Sequence, residues 1–428
     1  MFDIIIVGGG ISGVSAAISA AKQDCKVLII EKNTYLGGTS TGALVTPMMK
    51  NALKSGERLT HGFYDELLTE LSKTGDSAVF KDGNPGWFNP EMMKCILDDF
   101  CEKYRVKVLF DTVITGVEKK NKKIIFVDTL FNGIKKKYSA KYYIDASGNA
   151  DLAALAGCQF DSGINGQNQA MTLRFNMAGV ELKTFAEFLE KIDPKSDISP
   201  VMYLENGEIL LSTACTNQDK GWKLKPYFDK AVNDGILDKN DTTYFQIFSI
   251  PGQTSSIAFN CPRIHSEKSL DPLDVKDVSY ALIQGRKQIR KLSEFCKKYL
   301  PGFENAYVSN IAPMIGIRDS RRVKCKYELV EEDIIEAKKF KTAIAKTNYP
   351  IDVHSIAKSN DRLSFLEKDD YYEIPLEVML SQNIDNLIVT GRAVCASFYA
   401  QASLRIQPNC IAMGEAAGIY TSEKLKEQ

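Results

Sequence analysis

An α/β architecture is what this sequence predicts: a Rossmann-like parallel sheet carrying an inserted β-meander, with a mixed α+β unit inserted in turn. Three observations carry that expectation. The chain opens with an apolar run, a glycine turn, a small-residue helix and a second apolar run, "FDIIIVGGGISGVSAAISAAKQDCKVLIIEK" (2–32). Two strand-like runs separated by Asn132-Gly133 precede the apolar "YYIDASG" (142–148), which is not simple βαβ alternation. After residue 384 an apolar strand, a glycine turn and a helix return.

Taken in order, Ile4, Ile5, Ile6 and Val7 read as a buried parallel strand, residues 12–23 as a helix, and "CKVLIIEK" (25–32) as the second strand of one βαβ unit. "PEMMKCILDDFCEKY" (90–104) reads as a helix with Pro90 at its first position. The stretch 122–148 holds the hairpin signal at Asn132-Gly133. Between about 165 and 375 short strands mix with helices, the clearest being 274–300, closed by Pro301 and Gly302. "DNLIVTG" (385–391) is a strand, and the last helix begins near Asn409 with Pro408 in its first turn. The expected units are therefore a discontinuous nucleotide-binding unit, 1–164 with 376–428, and a substrate or cap unit over 165–375.

The 428 residues leave room for two such units, and 44% hydrophobic content is ample for their cores. Lys+Arg and Asp+Glu both number 54, which argues against nucleic acid as the main partner. No signal-peptide pattern and no membrane span is read, so the expectation is a cytoplasmic protein with no membrane partner. The ten cysteines are scattered without metal-like spacing; reduced, mostly buried thiols are expected, and no metal site.

Gly8-x-Gly10-x-x-Gly13 lies between the first strand and its helix. There the glycines allow a tight turn, close approach of a pyrophosphate and close helix–strand packing, with the phosphate charge at the helix N-terminus. Glu31 ends the second strand 18 residues after Gly13, where a carboxylate accepts hydrogen bonds from a ribose hydroxyl. The motif alone leaves NAD and FAD open. Two features favour FAD. Gly37-Gly38 followed by Thr39, Ser40 and Thr41 lets backbone pass close to a second nucleotide half. The C-terminal strand–turn–helix supplies another helix N-terminus that can face a developing negative charge.

Several segments, among them "IIIVGGGISGVSAA", "EKNTYLGGTSTG", "NCPRI", "GIRDSRR", "YPIDVH" and "NLIVTGRAV", resemble the FAD-dependent oxidoreductase family, within the class of the fumarate reductase and succinate dehydrogenase flavoproteins. The resemblance implies that Gly8, Gly10, Gly13, Glu31 and Lys32 hold the ADP half. It places Gly38, Ser40 and Thr41 along the pyrophosphate and flavin, and Asp145 and Gly148 at the adenine side. Gly391 and Arg392 would contact the ribityl–phosphate region, and Pro408 and Asn409 would set the last helix at the flavin pyrimidine. Arg392 stands where relatives often carry Asp. Residues 39–50 contain no histidine, so FAD is expected to be non-covalent.

Hydride transfer needs a substrate held near the flavin and one group that moves a proton. His354 is the first candidate for that group, with Tyr399 and Arg318 as alternatives. "GIRDSRR" (316–322) reads either as a solvated loop or as an anion-binding wall led by Arg318, because guanidinium binds carboxylate bidentately. Arg405, Tyr399 and Gln401 are further pocket candidates, with Arg174 and Arg263 behind them. The leading reading is an FAD-dependent oxidoreductase acting by hydride transfer on a small polar metabolite, carboxylate- or hydroxyl-bearing. An electron-carrier protein remains a partner to be considered. The alternatives are a flavin-binding RNA-modifying or assembly subunit, and a fold member that binds FAD without turnover. Substrate identity, reaction direction and oligomeric state stay open.

Overall fold

The computed structural model describes residues 1–215, 221–354, 362–364, 366 and 369–427. Strand β1 (Phe2–Val7), helix α1 (Ile11–Ala21) and strand β2 (Val27–Ile30) form the opening βαβ unit. Helix α2 (Pro90–Lys103), capped by the Asn89 side chain, leads to β3 (Lys107–Leu109). The meander β4 (Val113–Lys120), β5 (Lys123–Phe131) and β6 (Ile134–Tyr138) follows, then β7 (Ala140–Asp145) and the short helix α3 (Asp151–Leu155). The second unit carries β8 (Phe175–Ala178), β9 (Val201–Tyr203), β10 (Ile209–Ala214), β11 (Gln246–Ile250), β12 (Gln253–Phe259), helix α4 (Val275–Tyr299) and β13 (Tyr307–Ile311). The chain returns through β14 (Ile351–Val353) and β15 (Leu387–Val389) to helices α5 (Phe398–Leu404) and α6 (Gln407–Lys426).

The first sheet is parallel, in the order β15-β7-β1-β2-β3. Ile4 and Ile6 belong to the core shared with α1 and α6, whereas Ile5 and Val7 belong to the core shared with the meander. A strand buried on both faces has no polar side to show, which is why β1 reads as an unbroken apolar run. The second sheet is antiparallel, β9-β10-β11-β12-β8-β13, and its aromatic-rich core includes Phe175, Phe228, Phe245, Phe259 and Phe295.

The unit boundary differs from the expected one at 375. Leu329, Ile351, Val353, Tyr372 and Ile374 pack in the same core as β1 and α6, so the chain rejoins the nucleotide unit well before that residue. Their short strands alternate like those of the second unit, and alternation does not tell which sheet a strand covers.

Helices α1 and α6 lie unusually close. A Cβ built on Gly414 would sit 2.2 Å from the Ser12 carbonyl oxygen, and one on Gly418 would sit 2.3 Å from that of Ala16. The Ser15 hydroxyl donates across the same contact to the Ile411 carbonyl at 2.7 Å. Since both helix starts face the site, this contact fixes their spacing. Gly418→Val is expected to destabilise the fold by roughly 3 kcal/mol or more, because backbone rather than a flexible side chain blocks the new methyls. A chemical denaturation midpoint checks it.

Candidate active site

One cavity of about 1140 Å³ runs between the two units. Single small ligands occupy roughly 300–1,000 Å³, so this space suits a dinucleotide together with a small molecule. On its nucleotide side the wall includes Gly8, Gly10, Glu31, Lys32, Gly38 and Gly148. Gly8 has φ +100°, and a Cβ there would lie 2.5 Å from the Ala146 carbonyl oxygen. The Glu31 carboxylate, 4% exposed, accepts from the Gly9 and Asn33 backbone amides at 2.5 and 2.7 Å. Gly38 passes so close to Gly10 that a side chain would meet its Cα at 2.8 Å. Lys32 pairs with Asp151 at 3.7 Å. Arg392 lines the cavity beside Gly391 and donates to the Gly148 carbonyl and the Asn149 side chain at 2.9 and 2.8 Å, bracing the loop after β7.

Six of the expected cofactor residues stand behind this wall. Gly13 packs against the Gly8 carbonyl. Ser40 donates to the Gln407 side chain at 2.7 Å, and Thr41 to the Leu36 carbonyl. Asp145 is fully buried and accepts from the Ser147 and Ala153 amides at 3.0 and 2.8 Å; it shapes the loop instead of facing the cavity. Burial pushes its carboxyl above the ordinary value. Pro408 and Asn409 are buried in the first turn of α6, whose preceding residues Arg405 and Ile406, with Gln407, line the cavity in their place. The Ser40 and Thr41 hydroxyls turn inward, and Thr39 lines the cavity instead.

FAD fits this wall. Helices α1 and α6 both begin without a side-chain cap, at Gly10 and Ile406, and both starts border the cavity. Their first-turn N–H groups and positive ends are therefore available to phosphate and to a flavin ring.

The remaining wall is cationic and aromatic. Arg318 donates to the Ala170 carbonyl and the Thr172 hydroxyl, the latter at 2.8 Å. Burial lowers its pKa to about 10, and that of Arg174 equally, yet both stay charged at neutral pH. Arg405 donates to the Asp352 carbonyl at 3.1 Å, and its Nε is buried without a partner among the described residues. Asp352 on β14 and His354 just past its end both line the cavity. The Asp352 carboxylate receives His354 Nε2 at 3.1 Å and the Tyr349 hydroxyl at 3.0 Å. Burial alone would raise Asp352, but His354, Arg405 and Tyr349 overrule it and hold the carboxyl well below its usual range.

His354 has no free nitrogen. Arg263 donates to its Nδ1 at 2.9 Å, which leaves Nε2 protonated towards Asp352. Burial, then Arg318, holds the imidazole well below its ordinary pKa, at about 4. Between that value and the ordinary imidazole range the unfolded chain binds a proton that the folded one excludes, so stability rises with pH there and flattens above about 6.5. His354→Asn is expected to reduce the slope of unfolding free energy between about pH 4.5 and 6.5, by up to ~1.4 kcal/mol per pH unit. Denaturant titrations at several pH values measure it.

Tyr399 is not part of the cavity wall; it lies half-buried on α5, edge-on to Phe398 with ring centroids 5.5 Å apart. The cavity phenols are Tyr244 and Tyr349, which the sequence reading did not single out. The same holds for Asp352, Asn260 and Gln246. A signal for Tyr349, Asp352 and Asn260 was present in "YPIDVH" and "NCPRI", where polar residues sit two or three apart beside a proline; Tyr244 and Gln246 had none.

A model of FAD-dependent oxidoreductases matches residues 3–428. The chain belongs to the FAD-dependent oxidoreductase family. Membership carries oxidoreductase chemistry with FAD as cofactor. Among curated proteins it is 32% identical over 107 residues to the flavin-containing amine oxidase A of Equus caballus, spanning 21% of this chain and 20% of that protein. It is 38% identical over 68 residues to the cinnamate reductase of Clostridium sporogenes, spanning 16% and 10%. The chain thus aligns with about a fifth or less of these relatives' own length. The p-nitrophenol 4-monooxygenase PnpA of Pseudomonas putida has a similar fold, with TM-score 0.50, 10% identity, and coverage of 100% of this chain and 81% of that one. No described helix is long and apolar enough to cross a membrane.

Proposed function

We propose that this family member transfers a hydride between non-covalently held FAD and a small metabolite bearing a carboxylate, in the manner of the fumarate reductase-like flavoproteins that its motifs resemble. One observation carries the reading: Arg318 and Arg405 line the same cavity as Gly8, Glu31 and Gly38, where Tyr244, Tyr349 and His354 complete the wall. Bound FAD supplies a two-electron acceptor or donor; this chain's residues do the rest. Glu31 and the glycine turn fix the ribose and pyrophosphate, and the α6 start favours the electron-rich form of the flavin ring. Arg318 and Arg405 bind the carboxylate.

The test is anaerobic: lactate, glucose or crotonate is added to oxidised or dithionite-reduced holoprotein while the flavin absorbance is followed. Lactate or crotonate is expected to change the spectrum and glucose to leave it unchanged. A spectrum indifferent to every carboxylate would overturn the reading.

A further inference from the structure

We propose that Tyr244 is the proton donor of this site, delivering its hydroxyl proton to a substrate carbon–carbon double bond as that bond is reduced. The proposal rests on the reading above that a small carboxylate-bearing molecule is handled there, and it commits that reading to a direction.

The hydrogen bonds of the phenol carry the argument. Tyr244 is 5% exposed and its ring lines the cavity. Asn260 Nδ2 donates to the Tyr244 oxygen at 2.8 Å, so the phenolic proton must point elsewhere. Among the described residues its one acceptor is Gln246 Oε1, at a long 3.3 Å, and that oxygen already receives Asn260 Nδ2 at 2.7 Å. A phenol so placed offers its proton to a ligand at small cost. The other groups are committed: His354 by Arg263 and Asp352, Tyr349 by Asp352. Arg263 lies over the Tyr244 ring with its guanidinium carbon 4.5 Å from the centroid. Burial holds the Tyr244 hydroxyl above its ordinary pKa and keeps it protonated, while Arg318, Arg174 and Arg263 oppose that shift and Asp352 adds to it.

The step balances. The Tyr244 O–H bond breaks with its electron pair retained on oxygen, a C–H bond forms at one alkene carbon, and the other carbon takes the hydride that is the reduced cofactor's contribution. The phenolate regains its proton from solvent after product leaves.

The test uses FAD-loaded holoprotein with crotonate. Tyr244→Phe is expected to lower kcat at least ~100-fold while KM and bound FAD stay nearly unchanged. Tyr203→Phe, at an exposed tyrosine away from the cavity, should not reproduce that loss. Where Tyr244→Phe fails to fold, Tyr244→3-fluorotyrosine keeps both ring and hydroxyl. Its more acidic phenol should move the alkaline limb of kcat to lower pH, and its ¹⁹F resonance should titrate over the same range. Near-normal kcat in Tyr244→Phe, an unmoved limb, or a fluorine resonance that does not follow the limb each overturns the proposal. So does a protein that oxidises lactate but leaves crotonate alone. Indifference to both carboxylates defeats the functional reading first, and the proton donor with it.

Discussion

Gly8→Val is expected to yield protein that no longer retains FAD. The glycine holds φ +100°, and its missing Cβ would lie 2.5 Å from the Ala146 carbonyl oxygen and 2.7 Å from Ser147 Cα. Those atoms are backbone of the loop that closes the nucleotide side, and Asp145 and Arg392 brace that loop from two directions. A branched side chain must therefore displace the turn itself. Left-handed strain and the clash together cost about 3 kcal/mol or more. If that cost falls on the binding-competent turn, affinity for FAD drops by roughly 100-fold. Fluorescence titration with FAD measures it, and Gly56→Ala is the control, since Gly56 has φ +90° but nothing within 4 Å of the added carbon. Stoichiometric flavin in Gly8→Val would contradict the assignment of this turn.

Arg318→Ala is expected to cost catalysis and spare the cofactor. The side chain is held by Ala170 and Thr172 in the second unit and makes no hydrogen bond to the glycine turns. Truncating a buried charge that pairs with a ligand costs roughly 2–5 kcal/mol, which is about 30- to 4,000-fold in kcat/KM. Arg318→Lys should recover only part of this, because an ammonium keeps the charge but lacks the planar fork. Steady-state kinetics on the reactive carboxylate, with flavin content measured alongside, separates the two effects. Full activity in Arg318→Ala would remove the anion-binding role.

The nucleotide side was legible in the sequence because its chemistry is local. Gly8, Gly10, Gly13 and Glu31 lie within one βαβ unit, where a fixed strand–turn–helix geometry translates spacing directly into position. Asn132-Gly133 gave the meander for the same reason. The substrate side is assembled from distant pieces: Tyr244 and Asn260 from the segments just outside β11 and β12, Arg318 from a loop, Asp352 from β14 with His354 just past its end, and Arg405 from the junction of α5 and α6. Spacing along the chain says nothing about such a meeting. His354 was visible as a rare residue, but not its saturation by Arg263 and Asp352, which needs two separate segments to meet. Tyr399 is a pocket candidate in the sequence because it precedes the last helix, yet α5 carries it away from the cavity wall. Gly414 and Gly418 read as ordinary small helix residues until α1 is placed against them.

The central claim is that one cavity holds FAD between the α1 and α6 starts and presents its reactive ring to the arginine and tyrosine wall. The most direct measurement is a crystal structure of the holoprotein soaked with crotonate. The account predicts adenosine ribose density at Glu31, the flavin ring beside the α6 start, and the crotonate carboxylate on Arg318 or Arg405. Flavin density away from the α6 start, or a carboxylate bound away from both arginines, would contradict it.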